Sequence, residues 1–358
     1  MADDESIARW LVREGQGRPR GQHLVFVQME SWSAEPFRYQ SAEWDMLSGL
    51  KSKLSTAWLF ENFDSAGNGT IQSLEAIMYG TPISPVAQGR YRNIGFDWSL
   101  PAVFNNAGYD TLFITSGKSG WRELNRVMPV QGFNEVVDAA TLQAKYPEAQ
   151  GGIWGVWDSY MMRYIEERLA VQPSERPLFV YAMSTTNHAP FEIPADYPKI
   201  AFDVRKWPGE NTNPSLLANL QSYRYANDVL ADFVAAKQTQ PWGARTLIAA
   251  TGDHNVRAFG MYAQPEREAL FLQVPFVIWG VEQINCPQMF QLPASHLDMF
   301  PTLFPLLGIH NGYLLTGRNL ADCSFLKQEN EAMSVTFFNK FRTTRAIWQA
   351  GEAGTLAC

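Results

Sequence analysis

The run His23-Leu-Val-Phe-Val-Gln-Met29 is followed at once by Glu30-Ser31. It is rich in β-branched and aromatic side chains and is apolar at odd and even positions alike. A strand with one wet face alternates. A strand apolar on both sides is covered on both, as in a parallel sheet between helices. Thr111–Thr115, Pro177–Met183, Thr246–Ala250 and Val274–Trp279 read the same way. Helical patterns lie between these runs. Ile71, Leu74, Ile77 and Met78 share a face, stopped by Gly80 with Pro82 beyond. Trp157–Leu169 and Leu216–Ala236 follow, and then Asp298–Leu307, whose Pro301 sits in the first turn, where proline is tolerated. This alternation predicts an α/β fold: a doubly wound, mostly parallel sheet with helices on both faces. Residues 194–214 read as a long loop near the site, and Met333–Phe338 as a strand of a small C-terminal sheet.

Composition narrows the function. The 358 residues are 46% apolar and 18% charged, which excludes a disordered or fibrous chain. A net charge of −7 argues against a nucleic-acid partner. An anionic substrate would need a metal or a local basic pocket. Twelve Trp and 22 Phe serve either a large core or an aromatic cleft. Cys286, Cys323 and Cys358 form no C-x-x-C pair and allow one disulfide or none. No run is long and apolar enough to span a membrane. The acidic Met1–Glu5 start is no signal peptide. The chain as given reads as soluble.

On an open α/β sheet, ligands bind beyond the carboxyl ends of the strands. Glu30 follows the first run, Ser184-Thr-Thr-Asn-His188 the third, and Gly252-Asp253-His254 the end of the fourth. Glu30, Asp253 and His254 are oxygen and nitrogen donors suited to zinc or manganese, with a coordination position to spare. Taken singly, each is more ordinary: a solvated loop carboxylate, or a turn. Thr70, in Gly67-Asn-Gly-Thr70, stands at a helix start, where free N–H groups favour an anion. Its hydroxyl is either a metal-activated nucleophile or a plain N-cap.

These segments, with Leu74-Glu75-Ala76, Trp154-Gly-Val-Trp-Asp158, Asn187-His188-Ala-Pro-Phe191, Tyr223–Asp228, Val274-Pro275-Phe276 and Ser295-His-Leu-Asp298, occur in one order. That order resembles the extracellular catalytic domain of the lipoteichoic acid synthase and phosphoglycerol transferase family, in the alkaline phosphatase and sulfatase superfamily. The resemblance runs from about Leu24 to Leu320. It implies one divalent metal, manganese first and magnesium or zinc next, on Glu30, Thr70, Asp253 and His254. Thr70 would be the nucleophile, and His188 would bind phosphate or protonate the leaving group. Lys118, Trp121 and Arg122 would hold the substrate, although the histidine that some relatives carry in this segment is missing here. The implied partners are an anionic phospholipid head group, a glycan or glycerophosphate acceptor, and a membrane surface reached through transmembrane segments absent from this chain. The implied location is the cell envelope, on the periplasmic or extracellular side.

The domain reading is an extension over 1–22, a catalytic domain over 23–320 and a C-terminal piece over 321–358. Rival readings remain. A phosphodiesterase or phosphatase would use water as acceptor. A phosphoethanolamine transferase generally has more metal-site histidines and several disulfides. A sulfatase needs a Cys or Ser in a C/S-x-P-x-R setting, which neither Thr70 nor Cys286-Pro287 offers. A binding module would lack Thr70 or a ligand. His23 and His310 read as structural, and His296 as a cap or packing residue.

Overall fold

In a computed structural model, the described residues are 21–207, 214–256, 270, 272–282, 287–310, 316–324, 333–335, 340–343 and 347–349. The strands are β1 His23–Met29, β2 Ala57–Phe60, β3 Phe63–Asp64, β4 Asp110–Thr115, β5 Glu135–Val137, β6 Leu178–Met183, β7 Thr246–Gly252, β8 Phe276–Trp279 and β9 Ala294–Ser295, with β10 Met333–Val335, β11 Lys340–Thr343 and β12 Ile347–Gln349. The main helices are α1 Leu50–Lys53, α2 Thr70–Tyr79, α3 Leu100–Asn106, α4 Leu124–Gln131, α5 Ala139–Lys145, α6 Asp158–Ala170, α7 Leu216–Thr239 and α8 Met299–Leu306.

Seven strands form one sheet in the order β2-β8-β7-β1-β6-β4-β5. Six run one way, and β8 pairs antiparallel with both of its neighbours. The expected parallel run at Val274–Trp279 is corrected accordingly: it is a strand, but it points backwards. The described residues on either side of 257–269 meet at that strand's carboxyl edge, where Asn255 Nδ2 donates to the Leu270 carbonyl at 2.9 Å. A chain that re-enters the sheet from the edge at which it left it runs back along its neighbour. The small three-stranded sheet β10-β11-β12 contains the expected C-terminal strand at Met333–Val335, and the rest of that run lies outside the described residues.

Helices cover both faces, because β1 is apolar on both. Val25, Val27 and Met29 pack on one side with Met161, Ile165, Leu220 and Phe233 of α6 and α7. Leu24 and Phe26 pack on the other with Leu74, Phe104 and Phe300 of α2, α3 and α8. Such alternation is what a strand's period of two requires. The long helix extends to Thr239, and α2 closes at Gly80, whose φ of 63° is left-handed. No helix among the described residues is long and apolar enough to cross a membrane. Cys323 is disulfide-bonded.

Candidate active site

Register decides what meets at the carboxyl edge. Met29 lies opposite Gly252, and Gln28 opposite Met183. Glu30, Asp253 and Ser184 therefore leave the sheet side by side. The Asp253 amide donates to the Met29 carbonyl at 3.0 Å, and the Glu30 amide to Ser184 Oγ at 2.8 Å. One ligand atom each from Glu30, Asp253 and His254 lies within 4.8 Å of the others.

This cluster is electrostatically unbalanced. Glu30 and Asp253 are both buried. Asp253 Oδ1 accepts from the Ser31 and His254 amides at 2.7 Å each, whereas its buried Oδ2 has no hydrogen-bond partner. Oδ2 is 3.5 Å from His254 Nε2, which in turn is 3.7 Å from Glu30 Oε1. Burial, reinforced by the Glu30 charge, raises the Asp253 pKa well above the carboxylate range. His254 Nδ1 lies 3.0 Å from the Asn255 carbonyl, which can only accept, so Nδ1 carries the proton and Nε2 keeps a lone pair toward the carboxylates. An orphaned carboxylate oxygen, a second carboxylate and an imidazole nitrogen facing both suit a divalent cation.

Thr70 begins α2 as its first residue. The N-cap is Gly69, and no side chain caps this end. The capping role for Thr70 is thereby corrected: its hydroxyl donates to Glu30 Oε2 at 3.2 Å. Gly67 makes the approach feasible, since a Cβ there would meet the Ser73 amide nitrogen at 2.4 Å. The Thr70 carbonyl accepts from Gln28 Nε2 at 3.2 Å, and Ser73 Oγ donates to the Asp253 carbonyl. Helix start and strand end are thus tied together.

A cavity of about 440 Å³ opens over this cluster, lined by Glu30, Thr70, Lys118, Trp121, Trp154 and His188 among others. His188 and Trp154 lie ring to ring, with centroids 4.1 Å apart. The Ala189 carbonyl accepts from Trp154 Nε1 at 2.7 Å and lies 2.9 Å from His188 Nδ1. That geometry puts the His188 proton on Nδ1 and leaves Nε2 for a substrate. Arg122 is exposed, sits 5.8 Å over the Trp121 ring and does not line the cavity. Trp154, in a quoted motif, had been given no role by sequence reasoning. Its neighbour Asp158 carries no sequence signal of a role either: it is buried and braces two strand-end loops, accepting from Ser116 Oγ at 2.5 Å and from the Thr185 and Thr186 amides at 3.0 and 3.2 Å. Burial raises its pKa. Asn187 Nδ2 donates to the Glu30 and Ser31 carbonyls at 3.2 and 3.3 Å, while its Oδ1 accepts from Ser222 of α7 at 2.6 Å. Only their buried polar partners identify these braces, and a sequence does not display partners.

His23 and His296 are structural. His23 Nδ1 accepts from the Leu178 amide at 3.0 Å, and burial, then Arg245, lowers its pKa to about 4. His296 is buried between the Ala66 amide, 3.2 Å from Nδ1, and the Gly252 carbonyl, 2.9 Å from Nε2, and burial lowers its pKa to about 3.

Residues 22–309 match the sulfatase family model. The chain belongs to the sulfatase family. Its fold is shared with a protein of the alkaline phosphatase superfamily from Vibrio parahaemolyticus, at 20% identity and a TM-score of 0.70, over 95% of this chain and 77% of that one. It is similar to the lipoteichoic acid synthase LtaP of Listeria monocytogenes, at 18% identity and a TM-score of 0.73, over 95% and 86%. It is also similar to the phosphoglycerol transferase GacH of Streptococcus pyogenes in complex with sn-glycerol-1-phosphate, at 15% identity and a TM-score of 0.60, over 86% and 78%. At these identities the likeness carries the sulfatase-like fold.

Proposed function

We propose that this sulfatase-family chain is a metal-dependent phosphoglycerol transferase. It would move glycerophosphate from a phosphatidylglycerol-like lipid to a hydroxyl of a glycan or polyglycerophosphate, on the outer side of the cytoplasmic membrane. The observation that carries the reading is the Thr70 hydroxyl, uncapping at a helix start and 3.2 Å from Glu30 in a cluster with an orphaned carboxylate oxygen. Glu30, Thr70, Asp253 and His254 would hold one divalent cation, manganese first, which when bound would lower the hydroxyl's pKa and offset phosphate charge.

Thr70 Oγ attacks phosphorus as its proton passes to Glu30 Oε2, its hydrogen-bond acceptor, and the bond from phosphorus to the diacylglycerol oxygen breaks. His188 Nε2, when protonated, gives that oxygen its proton. The acceptor hydroxyl then attacks phosphorus, the Thr70 Oγ–phosphorus bond breaks, Glu30 returns the proton to Thr70 Oγ, and the acceptor's proton passes to the same imidazole. The N-terminus of α2 faces the phosphoryl oxygens in both steps. Lys118 supplies a cation for the phosphate and Trp121 a wall for the glycerol.

The test is turnover of phosphatidylglycerol by the manganese-loaded protein, with and without a glycerophosphate-bearing glycan. Acceptor-dependent release of diacylglycerol, with a glycerophosphate mass on Thr70 after quenching, is expected. Release at the same rate without acceptor would assign the chain to the hydrolases. Turnover of phosphatidylethanolamine alone would replace the donor.

A further inference from the structure

Most exposed large apolar side chains fall in two adjoining groups, with Val171 after α6 and Leu217 on α7 the exceptions among the described residues. Among the described residues, Ile83, Tyr91, Ile94 and Trp98 are exposed on the segment after α2, with Ile83 at 70% and Ile94 at 49%. Trp121, Ile153 and Trp154 are exposed where they line the cavity. The two groups adjoin. Gln88 Nε2 donates to the Arg122 carbonyl at 3.2 Å, and Arg92 pairs with Glu123 at 2.7 Å. The Ile94 carbonyl accepts from Gln131 of α4 at 2.8 Å.

This rim is anchored from beneath. Glu75 Oε1 accepts from the Val86 and Gln88 amides at 3.0 Å each. A held surface that leaves Ile, Tyr and Trp in water is a surface with something to meet. Its charge says what. Along residues 83–98 and 117–126, Arg90, Arg92, Lys118, Arg122 and Arg126 stand against Asp97 and Glu123, with Asp138 behind Ser119 and Glu192 beside Ile153, which leaves a net positive rim on a chain whose net charge is −7. Two copies of a basic rim would repel one another. Interfacial aromatics and β-branched residues among arginines instead match the head-group region of an anionic bilayer.

We infer that this rim docks on an anionic phospholipid bilayer and brings the cavity mouth to head-group level. The inference rests on the reading above that the donor is an anionic phospholipid. It adds where the lipid is met. A head group could then reach Thr70 without both acyl chains being drawn into water, which is costly for every methylene exposed.

The manganese-loaded protein is sedimented with vesicles of phosphatidylcholine, alone or mixed with phosphatidylglycerol. Hydrolysis of water-soluble bis(4-nitrophenyl) phosphate is followed in parallel. Binding should require phosphatidylglycerol and weaken in about 0.5 M salt, where screening is short-ranged. Ile83→Asp with Ile94→Asp should lower partitioning about ten-fold or more, and Arg90→Glu about five-fold or more. Turnover of the soluble diester and the melting temperature should hold in both variants. Equal partitioning of variants and parent would overturn the docking surface. So would binding indifferent to phosphatidylglycerol, or a dimer in solution that Ile94→Asp dissociates. Variant-sensitive binding by a protein that turns over no phosphodiester supports the docking surface while sinking phosphotransfer. The reverse result sinks docking alone.

Discussion

The edge proposed to hold the metal and the cavity wall are built by different means. Glu30 and Asp253 are buried, and the parallel register of β1 with β7 sets their separation. The wall is carried by turns after β4 and before α6, and its tryptophans are more than a third exposed, Trp121 at 37% and Trp154 at 37%. Hydrogen-bonded strands have little freedom to vary, whereas loops on a rigid scaffold do. On the proposed reading, the chemistry sits on the sheet and the choice of substrate on the loops.

Substitutions at the edge should cost rate, and those on the wall should cost binding. Thr70→Ala is the most severe test. Turnover should fall about 10⁴-fold or more, as when a nucleophile is lost. The melting temperature should stay within a few degrees, because the hydroxyl caps nothing. A variant that kept most of its activity would make water the nucleophile. His188→Ala should slow turnover by about 10²–10⁴-fold, the span for a lost acid–base group, with metal content by elemental analysis unchanged. Loss of an equivalent of metal would instead move His188 into a second metal site and blur the two regions. Lys118→Ala should raise KM about 10- to 100-fold through one charged contact, with kcat much less affected. A fall in kcat alone would put Lys118 with the edge.

The smallest effect probes the far end of the sheet. The His23 pKa is lowered to about 4, so between about pH 6.5 and 4 the unfolded chain takes up a proton that the folded one refuses. Stability should be intact above pH 6.5 and fall by up to about 1.4 kcal/mol per pH unit below it. Denaturant midpoints for His23→Gln should show a flatter acid limb. An unchanged slope would place the acid sensitivity elsewhere.

Much of the edge was legible in the sequence because a strand apolar on both faces is conspicuous, and the residue after it can be read directly. Direction was not legible: β8 carries the same Phe-Val-Ile-Trp signal whichever way it runs. The strands β2 and β5 went unread because four half-buried residues and three residues give too short a pattern. The wall was only partly legible, for a geometric reason. Arg122 follows Trp121 in sequence, but Arg122 and Glu123 both take positive φ, 53° and 54°. The chain turns there, and the guanidinium ends outside the cavity.

The pairing of Met29 with Gly252 has one more consequence, for refolding. A slip of one residue between β1 and β7 would carry Glu30 about 3.3 Å along the strand and turn its side chain to the opposite face. The cation would then lose a ligand although the sheet's hydrogen bonds were all made. Metal uptake during refolding should thus act as a checksum on strand registry: chains that have collapsed out of step remain unable to bind, and the bound fraction counts those that have aligned.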